Sequence, residues 1–253
     1  MEKKIAMVTG ASSGIGWATA LSLAQLGYNI IATGRRYKRL QELQIELNKE
    51  GVDSLSLTFD VRDKEAVKDA FATLPDAWKK VDVLINNAGN AHGMDPIQSG
   101  NPDDWDAMMD INVKGLLYVS NEVIPEMVKR NTGTIVNIGS IAGKEVYPLG
   151  NVYCASKHAV DALTKGMRID LNPHGIRVMG IHPGLVETEF SLVRFKGDEG
   201  RSRSVYTGYQ ALTAEDIAET IAFAVSRPAH VVLADIVILP TAQATAAMVK
   251  KNL

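Results

Sequence analysis

Short apolar runs alternate with longer amphipathic segments from one end of this chain to the other, and few folds tolerate that rhythm. Runs such as Val81-Asp82-Val83-Leu84-Ile85 and Thr134-Ile135-Val136-Asn137-Ile138 suit strands covered on both faces. Strands separated by helical stretches read as βαβ units, which build a parallel sheet. The expected strands are Lys4–Thr9, Asn29–Thr33, Ser54–Phe59, Val81–Asn86, Gly133–Ile138, Arg177–Ile181 and Ile236–Leu239. The expected helices are Gly14–Leu26, Arg36–Glu50, Lys64–Thr73, Pro102–Asn131, Asn151–Asn172 and Ala214–Ser226. Seven strands with six connections predict an α/β fold: one doubly wound domain over residues 1–253, a seven-stranded parallel sheet with helices on both faces. Glu187–Ala211 breaks the rhythm. It is polar, glycine-dotted and carries aromatics, and connections of that length are usually lids or binding loops. A substrate lid is expected at about 187–211.

Composition limits the partners. A net charge of −2 over 253 residues leaves no electrostatic footprint for nucleic acid or an anionic membrane surface. A 46% hydrophobic content suffices for one large core. The single cysteine, Cys154, excludes an internal disulfide framework and fits a reducing compartment. No apolar stretch approaches the ~20 residues that span a bilayer. Met1–Val8 is charged and turns directly into a strand pattern, without the apolar run of a signal peptide. A cytoplasmic protein is expected. Five histidines (His92, His158, His174, His182, His230) fall singly, without HxxH or HExxH spacing, so no metal site is expected.

Thr9-Gly10-Ala11-Ser12-Ser13-Gly14-Ile15-Gly16 follows the first strand and opens the first helix. Glycines there let the backbone turn tightly and let a pyrophosphate approach the helix N-terminus. The second strand ends Ala32-Thr33-Gly34-Arg35-Arg36. An NAD site puts a carboxylate at this point to hold the ribose 2′-hydroxyl. Two guanidinium groups stand there instead, and arginine pairs bidentately with phosphate. Two cations at a helix start also oppose its macrodipole. The expected cofactor is NADP(H).

Tyr153 and Lys157 are four residues apart, so they share one helix face with Cβ atoms about 5–6 Å apart. A free phenol, with a pKa of about 10, is a poor proton donor or acceptor at neutral pH. A neighbouring ammonium favours the phenolate and is expected to lower that pKa. Ser140, thirteen residues upstream, is placed to hold a substrate oxygen while Tyr153 moves the proton.

With Asp60 after the third strand, Asn86-Asn87-Ala88-Gly89 after the fourth, Asn112 in the long helix, then Pro183-Gly184 and Thr188, the chain resembles the short-chain dehydrogenase/reductase family. The resemblance runs from Met1 to about Thr188. It implies a Rossmann domain in which Tyr153 is the general acid in reduction and Ser140 orients the carbonyl. Lys157 would hold the nicotinamide ribose and lower the tyrosine pKa, and Asn112 would anchor a water in a proton relay. The implied cofactor contacts are Gly10, Ser12, Ser13, Gly14, Ile15 and Gly16 at the turn, and Arg35 and Arg36 at the 2′-phosphate. Asp60 and Val61 would meet the adenine, Asn87, Ala88 and Gly89 the adenosine ribose, and Pro183, Gly184, Val186 and Thr188 the carboxamide end. Gly150–Tyr153, Glu189–Asp198, Leu212–Ile217 and Arg227–His230 are similar to one subgroup, NADP-dependent 3-hydroxy acid dehydrogenases that also act on serine and reduce malonic semialdehyde. Sulfoacetaldehyde reductases, which form isethionate, look similar. Assembly as a homotetramer is implied too.

Substrates of that subgroup are small aldehydes or alcohols with an anionic tail, which needs a cation or strong donors. Arg194, which follows the apolar Phe190–Val193 stretch, is the expected ligand, with Tyr147 beside the catalytic serine. Lys144, Asn90 and His92 are further candidates, and Lys196, Arg201 and Arg203 are other lid cations. A regulator that senses NADP(H) without turnover is the opposing reading, but such proteins typically lose the tyrosine or lysine kept here. Replacing Arg35 with aspartate is expected to weaken NADPH binding about 10- to 100-fold, the worth of a charge-assisted hydrogen bond. Titration of the R35D variant with NADPH and NADH checks it, and unchanged NADPH affinity would contradict the assignment.

Overall fold

Parallel strands buried on both faces are apolar at nearly every position, and β1 (Ile5–Val8) is buried throughout. The computed structural model describes residues 3–252; Met1, Glu2 and Leu253, the ends of the expected domain, lie outside the described residues. The other strands are β2 (Asn29–Gly34), β3 (Ser54–Thr58), β4 (Val81–Asn86), β5 (Gly133–Ile138), β6 (Ile176–Pro183) and β7 (Asp235–Ile238). All pair in parallel in the order β3-β2-β1-β4-β5-β6-β7, as expected of a doubly wound Rossmann sheet.

The register splits the core in two. Val8, Ile85, Val136 and Met179 form one row across the sheet, and the preceding residues Met7, Leu84, Ile135 and Val178 form the row facing the other way. The first row packs under α1 (Gly14–Gln25), α2 (Tyr37–Lys49) and α9 (Ala214–Val225). The second packs under α3 (Lys64–Ala72), α5 (Gly115–Arg130) and the end of α6 (Asn151–Leu171). Each helix brings an apolar stripe, such as Leu40, Leu43 and Leu47 of α2, all fully buried.

Three segments differ from expectation. The helix expected over Pro102–Asn131 is interrupted: α4 (Pro102–Met109) leads into one π turn, Asp110–Lys114, before α5. The extra residue in that turn accompanies Asn112, whose side chain bonds the chain at Asn90 instead of following the helix surface. The segment expected to be irregular holds two short helices, α7 (Phe190–Arg194) and α8 (Glu199–Tyr206). The second of them is polar in sequence, and the segment is fastened by tertiary bonds such as Tyr206 Oη to the Val186 carbonyl at 2.9 Å. The tail after β7 returns across the molecule, with Asn252 N donating to Gly208 O at 2.8 Å. Among the described residues no helix is long and apolar enough to cross a membrane.

Two asparagines lie side by side in the sheet. Asn86 of β4 donates to Asn137 of β5 and to Ser120 of α5, both at 2.9 Å, and Asn137 donates to Thr164 of α6 at 3.0 Å. The ladder joins α5 and α6 through the sheet just below the strand ends. Asn137→Leu keeps the volume but removes two buried hydrogen bonds at once, leaving Asn86 with Ser120 alone and Thr164 with the Val160 carbonyl alone. The cost is expected to be about 2–4 kcal/mol. Urea unfolding followed by circular dichroism checks this, and an unchanged midpoint would show that the ladder carries no stability.

Candidate active site

A cavity of about 600 Å³ opens at the carboxyl ends of the strands, where β1 and β4 lie side by side and the winding reverses. The turn after β1 supplies one wall. Gly10 and Gly14 adopt φ of +65° and +52°, which side-chain-bearing residues resist. A Cβ on Gly16 would stand 2.4 Å from the Gly10 carbonyl oxygen, so Gly16 lets α1 close against the turn. Gly16 itself stands behind the cavity wall, whereas Gly10, Ser12, Ser13, Gly14 and Ile15 line it. Helices α3, α4 and α9 have side-chain caps from Asp63, Asn101 and Thr213. The α1 N-cap, Ser13, makes no such bond, and the free N–H groups of α1 meet the cavity, as an anion requires.

Asn87 lines the cavity and has a structural task as well. Its amide nitrogen donates to the Thr9 carbonyl at 2.8 Å and the Gly10 carbonyl at 3.3 Å, clamping the glycine turn to the end of β4. Ala88 and Gly89 follow it along the wall. Beyond the turn lie Arg35, Arg36, Asp60 and Val61. The two arginines do not act as a pair. Arg36 bonds Ser12 Oγ and the Ser12 carbonyl, both at 3.1 Å, Ser13 Oγ, and Glu189 at 2.7 Å, so it ties the turn to the start of the lid. Arg35 is half exposed and has only a 3.8 Å contact with Asp60, whose carboxyl is also bound by Arg62. Both arginines line the cavity, and Arg35 is the less engaged of the two. The uncapped helix, the glycines and the absence of a carboxylate next to Gly34 together fit NADP(H).

Ser140, Tyr153 and Lys157 converge on the far wall, with Pro183, Gly184, Val186 and Thr188 closing it. Ser140 Oγ caps its own turn, accepting from Ala142 N at 3.1 Å, and lies 3.4 Å from the Pro183 carbonyl. Lys157 Nζ donates to the Ile138 carbonyl at 3.0 Å. Burial pushes the Tyr153 phenol well above its ordinary range; the Ser140 hydrogen bond and the Arg194 charge oppose this only partly. Burial also pulls the Lys157 ammonium down to about 8. The lowered phenol expected from a neighbouring lysine is therefore not what the protein alone produces, because both groups lose their water. Asn112 is placed behind the cavity. Its side chain receives Asn90 N and donates to Asn90 O, each at 2.9 Å, and to Ser156 Oγ at 3.0 Å. Those bonds use both its side-chain N–H groups and brace α6 against the β4 loop.

At the substrate end Arg194 stacks between two tyrosines, its guanidinium carbon 5.5 Å from the Tyr147 ring centre and 5.6 Å from that of Tyr153. It donates to Tyr147 Oη at 2.8 Å and the Gly93 carbonyl at 3.1 Å. These partners are neutral, and among the described residues no carboxylate pairs with it. Phe190 packs on Tyr153 with ring centres 5.7 Å apart. Asn90 also lines the cavity. The other candidates do not reach it. Lys144 is drawn beneath the site by Asp161 and Asp235, and Lys196 pairs with Asp104 at 2.9 Å. Arg203 pairs with Glu199, Arg201 stacks on Phe195, and His92 lies in a separate small recess. His182, expected to stand alone, has Asp161 and Asp235 for neighbours, with the Lys144 ammonium bridging the two carboxylates. Sequence reasoning missed Met94, Tyr206, Gln243 and Ala246 in the lining. Gln243 and Ala246 come from the returning tail, where no local pattern marks them.

The architecture agrees with known proteins. The family model for short chain dehydrogenase matches residues 4–198. The NADP-dependent 3-hydroxy acid dehydrogenase YdfG of Escherichia coli is 44% identical over 246 residues, covering 96% of this chain and 98% of that protein. Sulfoacetaldehyde reductase 2 of Chromohalobacter salexigens is 43% identical over 244 residues, 96% of each. Among solved structures, the closed form of a serine dehydrogenase complexed with NADP+ superposes with a TM-score of 0.91 at 44% identity, covering 96% of this chain and 98% of that one. An alcohol dehydrogenase from Thermococcus sibiricus, complexed with 5-hydroxy-NADP, superposes at 0.84 with 25% identity, covering 96% and 99%. Glycine turn, serine, tyrosine and lysine thus stand in the architecture that these relatives share, and the chain belongs to the short-chain dehydrogenase family.

Proposed function

We propose that this NADP-dependent dehydrogenase interconverts a small anionic aldehyde and its hydroxy acid, with malonic semialdehyde and 3-hydroxypropionate, L-serine and other 3-hydroxy acids as its substrates. One observation carries the reading: Arg194, a cation with only neutral partners among the described residues, lies over the Tyr153 ring at one end of the cavity. A carboxylate there would supply the missing counter-charge, and guanidinium–carboxylate pairing would fix the aldehyde carbon's position.

The glycine turn, Arg35 and the wall from Pro183 to Thr188 would hold the cofactor, and bound NADPH supplies the hydride. The protein supplies position and the proton. Ser140 holds the substrate oxygen. Tyr153, kept protonated by burial, donates to that oxygen during reduction and accepts the proton back in oxidation. Lys157, fixed to the Ile138 carbonyl, would hold a ribose hydroxyl of the cofactor with its remaining N–H groups and add positive charge to the site. Asn112 holds the helix carrying both. The lid, residues 187–211, closes the anionic end through Arg194 and excludes water. The enzyme works in the cytoplasm as a homotetramer, for which exposed Leu117 on α5 and Ile169 on α6 offer apolar surface. A sulfonate also pairs with a guanidinium, so sulfoacetaldehyde is the alternative substrate, and the sulfoacetaldehyde reductase relative favours including it.

The test compares malonic semialdehyde, sulfoacetaldehyde and uncharged propanal by loss of NADPH absorbance. The carboxylate substrate is expected to lead. Arg194→Ala is expected to raise its KM about 10- to 100-fold, the worth of one charge-assisted pair, and to leave propanal reduction within about threefold. A lead for sulfoacetaldehyde would make this a sulfonate enzyme. Equal losses on charged and uncharged aldehydes would remove Arg194 from anion recognition.

A further inference from the structure

Lys144, Asp161, His182 and Asp235 meet beneath the cavity from four separate pieces of the fold. Lys144 ends the short Ile141–Gly143 turn that Ser140 caps. Asp161 follows Tyr153 and Lys157 at four-residue spacing on the same face of α6. His182 immediately precedes Pro183, the carbonyl partner of Ser140 Oγ. Asp235 opens β7. Lys144 Nζ donates to Asp161 Oδ1 at 2.7 Å and to Asp235 Oδ2 at 2.6 Å. Lys165 holds the other Asp161 oxygen at 2.7 Å. His182 Nε2 lies 2.7 Å from Asp235 Oδ1 and 3.9 Å from Asp161 Oδ1. The short approach to Asp235 is off the ring N–H direction, so neither ring nitrogen has a well-formed hydrogen bond among the described residues.

The packing leaves the Ser140 turn no slack. A Cβ on Gly139 would stand 2.3 Å from His182 Nδ1, and one on Gly143 would stand 2.6 Å from the Lys157 carbonyl oxygen. The turn is thus pressed between the His182 ring and the backbone of α6. His182 is 1% exposed, and burial together with the Lys144 charge pulls its pKa down, so the ring is neutral. Two lysines then balance two carboxylates. The three possible ligand atoms of Asp161, His182 and Asp235 lie within 4.8 Å of one another, but the Lys144 ammonium already bridges the carboxylates.

None of the four residues lines the cavity. We infer that Lys144, Asp161, His182 and Asp235 are positioning residues that set the Ser140 hydroxyl against the Tyr153 phenol by locking the serine turn to α6, β6 and β7. The inference rests on the reading of Ser140 and Tyr153 proposed above. A displacement of about 1 Å at a reacting group costs on the order of a hundredfold in rate, so a lost anchor should appear in kcat.

A double-mutant cycle tests it, using whichever of malonic semialdehyde, sulfoacetaldehyde and propanal is reduced fastest. S140A alone reads the serine assignment, and full activity there overturns that assignment and this inference with it. With Ser140 present, K144M is expected to lower kcat about tenfold or more, with the NADPH Kd within about twofold, and K144R to recover most of the loss. In the S140A background K144M is expected to change the residual kcat by less than about threefold, since the hydroxyl it positions is gone. Equal losses in both backgrounds, or an unchanged kcat in folded K144M, overturn the inference. If K144M does not fold, H182N, which removes the ring that presses on Gly139 together with its approach to Asp235, enters the same cycle with the same expectations.

Discussion

The direction of winding reverses between β1 and β4, and the chemistry of the molecule depends on that reversal. Chains leaving the two strands depart on opposite faces of the sheet, so a crevice opens at their carboxyl ends. The glycine turn descends from β1 and the Asn87–Gly89 segment from β4, and Asn87 binds one to the other. Two full rows of apolar residues hold the strands in register beneath. With that register lost, the uncapped end of α1 and the serine turn would no longer face one cavity.

Helix α6 then acts as the ruler for the site. One face presents Tyr153, Lys157 and Asp161 in succession: the first two meet the cavity and the third anchors the helix to Lys144. Ser156 of the same helix is bonded by Asn112, which is why the π turn matters. Burial has opposite effects on the two cavity groups, raising the phenol and lowering the ammonium, since each resists its charged form. The resting protein therefore keeps Tyr153 as an acid ready to give its proton. The Ser140 hydrogen bond and the Arg194 charge favour the phenolate, but not enough to offset burial.

Much of this was legible in the sequence because it is local. Continuous apolar runs mark strands buried on both faces, and all seven were found within a few residues of their ends. Gly10, Ser12, Ser13, Gly14, Ile15, Ser140, Tyr153 and Lys157 line one cavity because each lies at a strand end or on one helix face. Arg194 could be singled out by the apolar stretch preceding it. What stayed hidden is non-local. Lys144 turns away from substrate because Asp161 and Asp235, far apart in sequence, hold it, and His182 gains neighbours in the same way. Arg36 is taken up by Ser12, Ser13 and Glu189, which no reading of the β2 end shows. Gln243 and Ala246 reach the cavity only because the tail folds back, Ala246 N being held by Glu145 at 2.7 Å. The π turn likewise answers to Asn90, not to its own helix.

The central claim is that the buried phenol of Tyr153 is the proton donor. Tyr153→Phe keeps the ring that packs on Phe190 and removes only the hydroxyl. The most direct measurement is NADPH binding and single-turnover reduction on that variant. The account predicts unchanged NADPH affinity and a turnover rate reduced at least about 10²-fold, the scale of general-acid contributions. Turnover near the native rate, with NADPH bound as tightly, would contradict it.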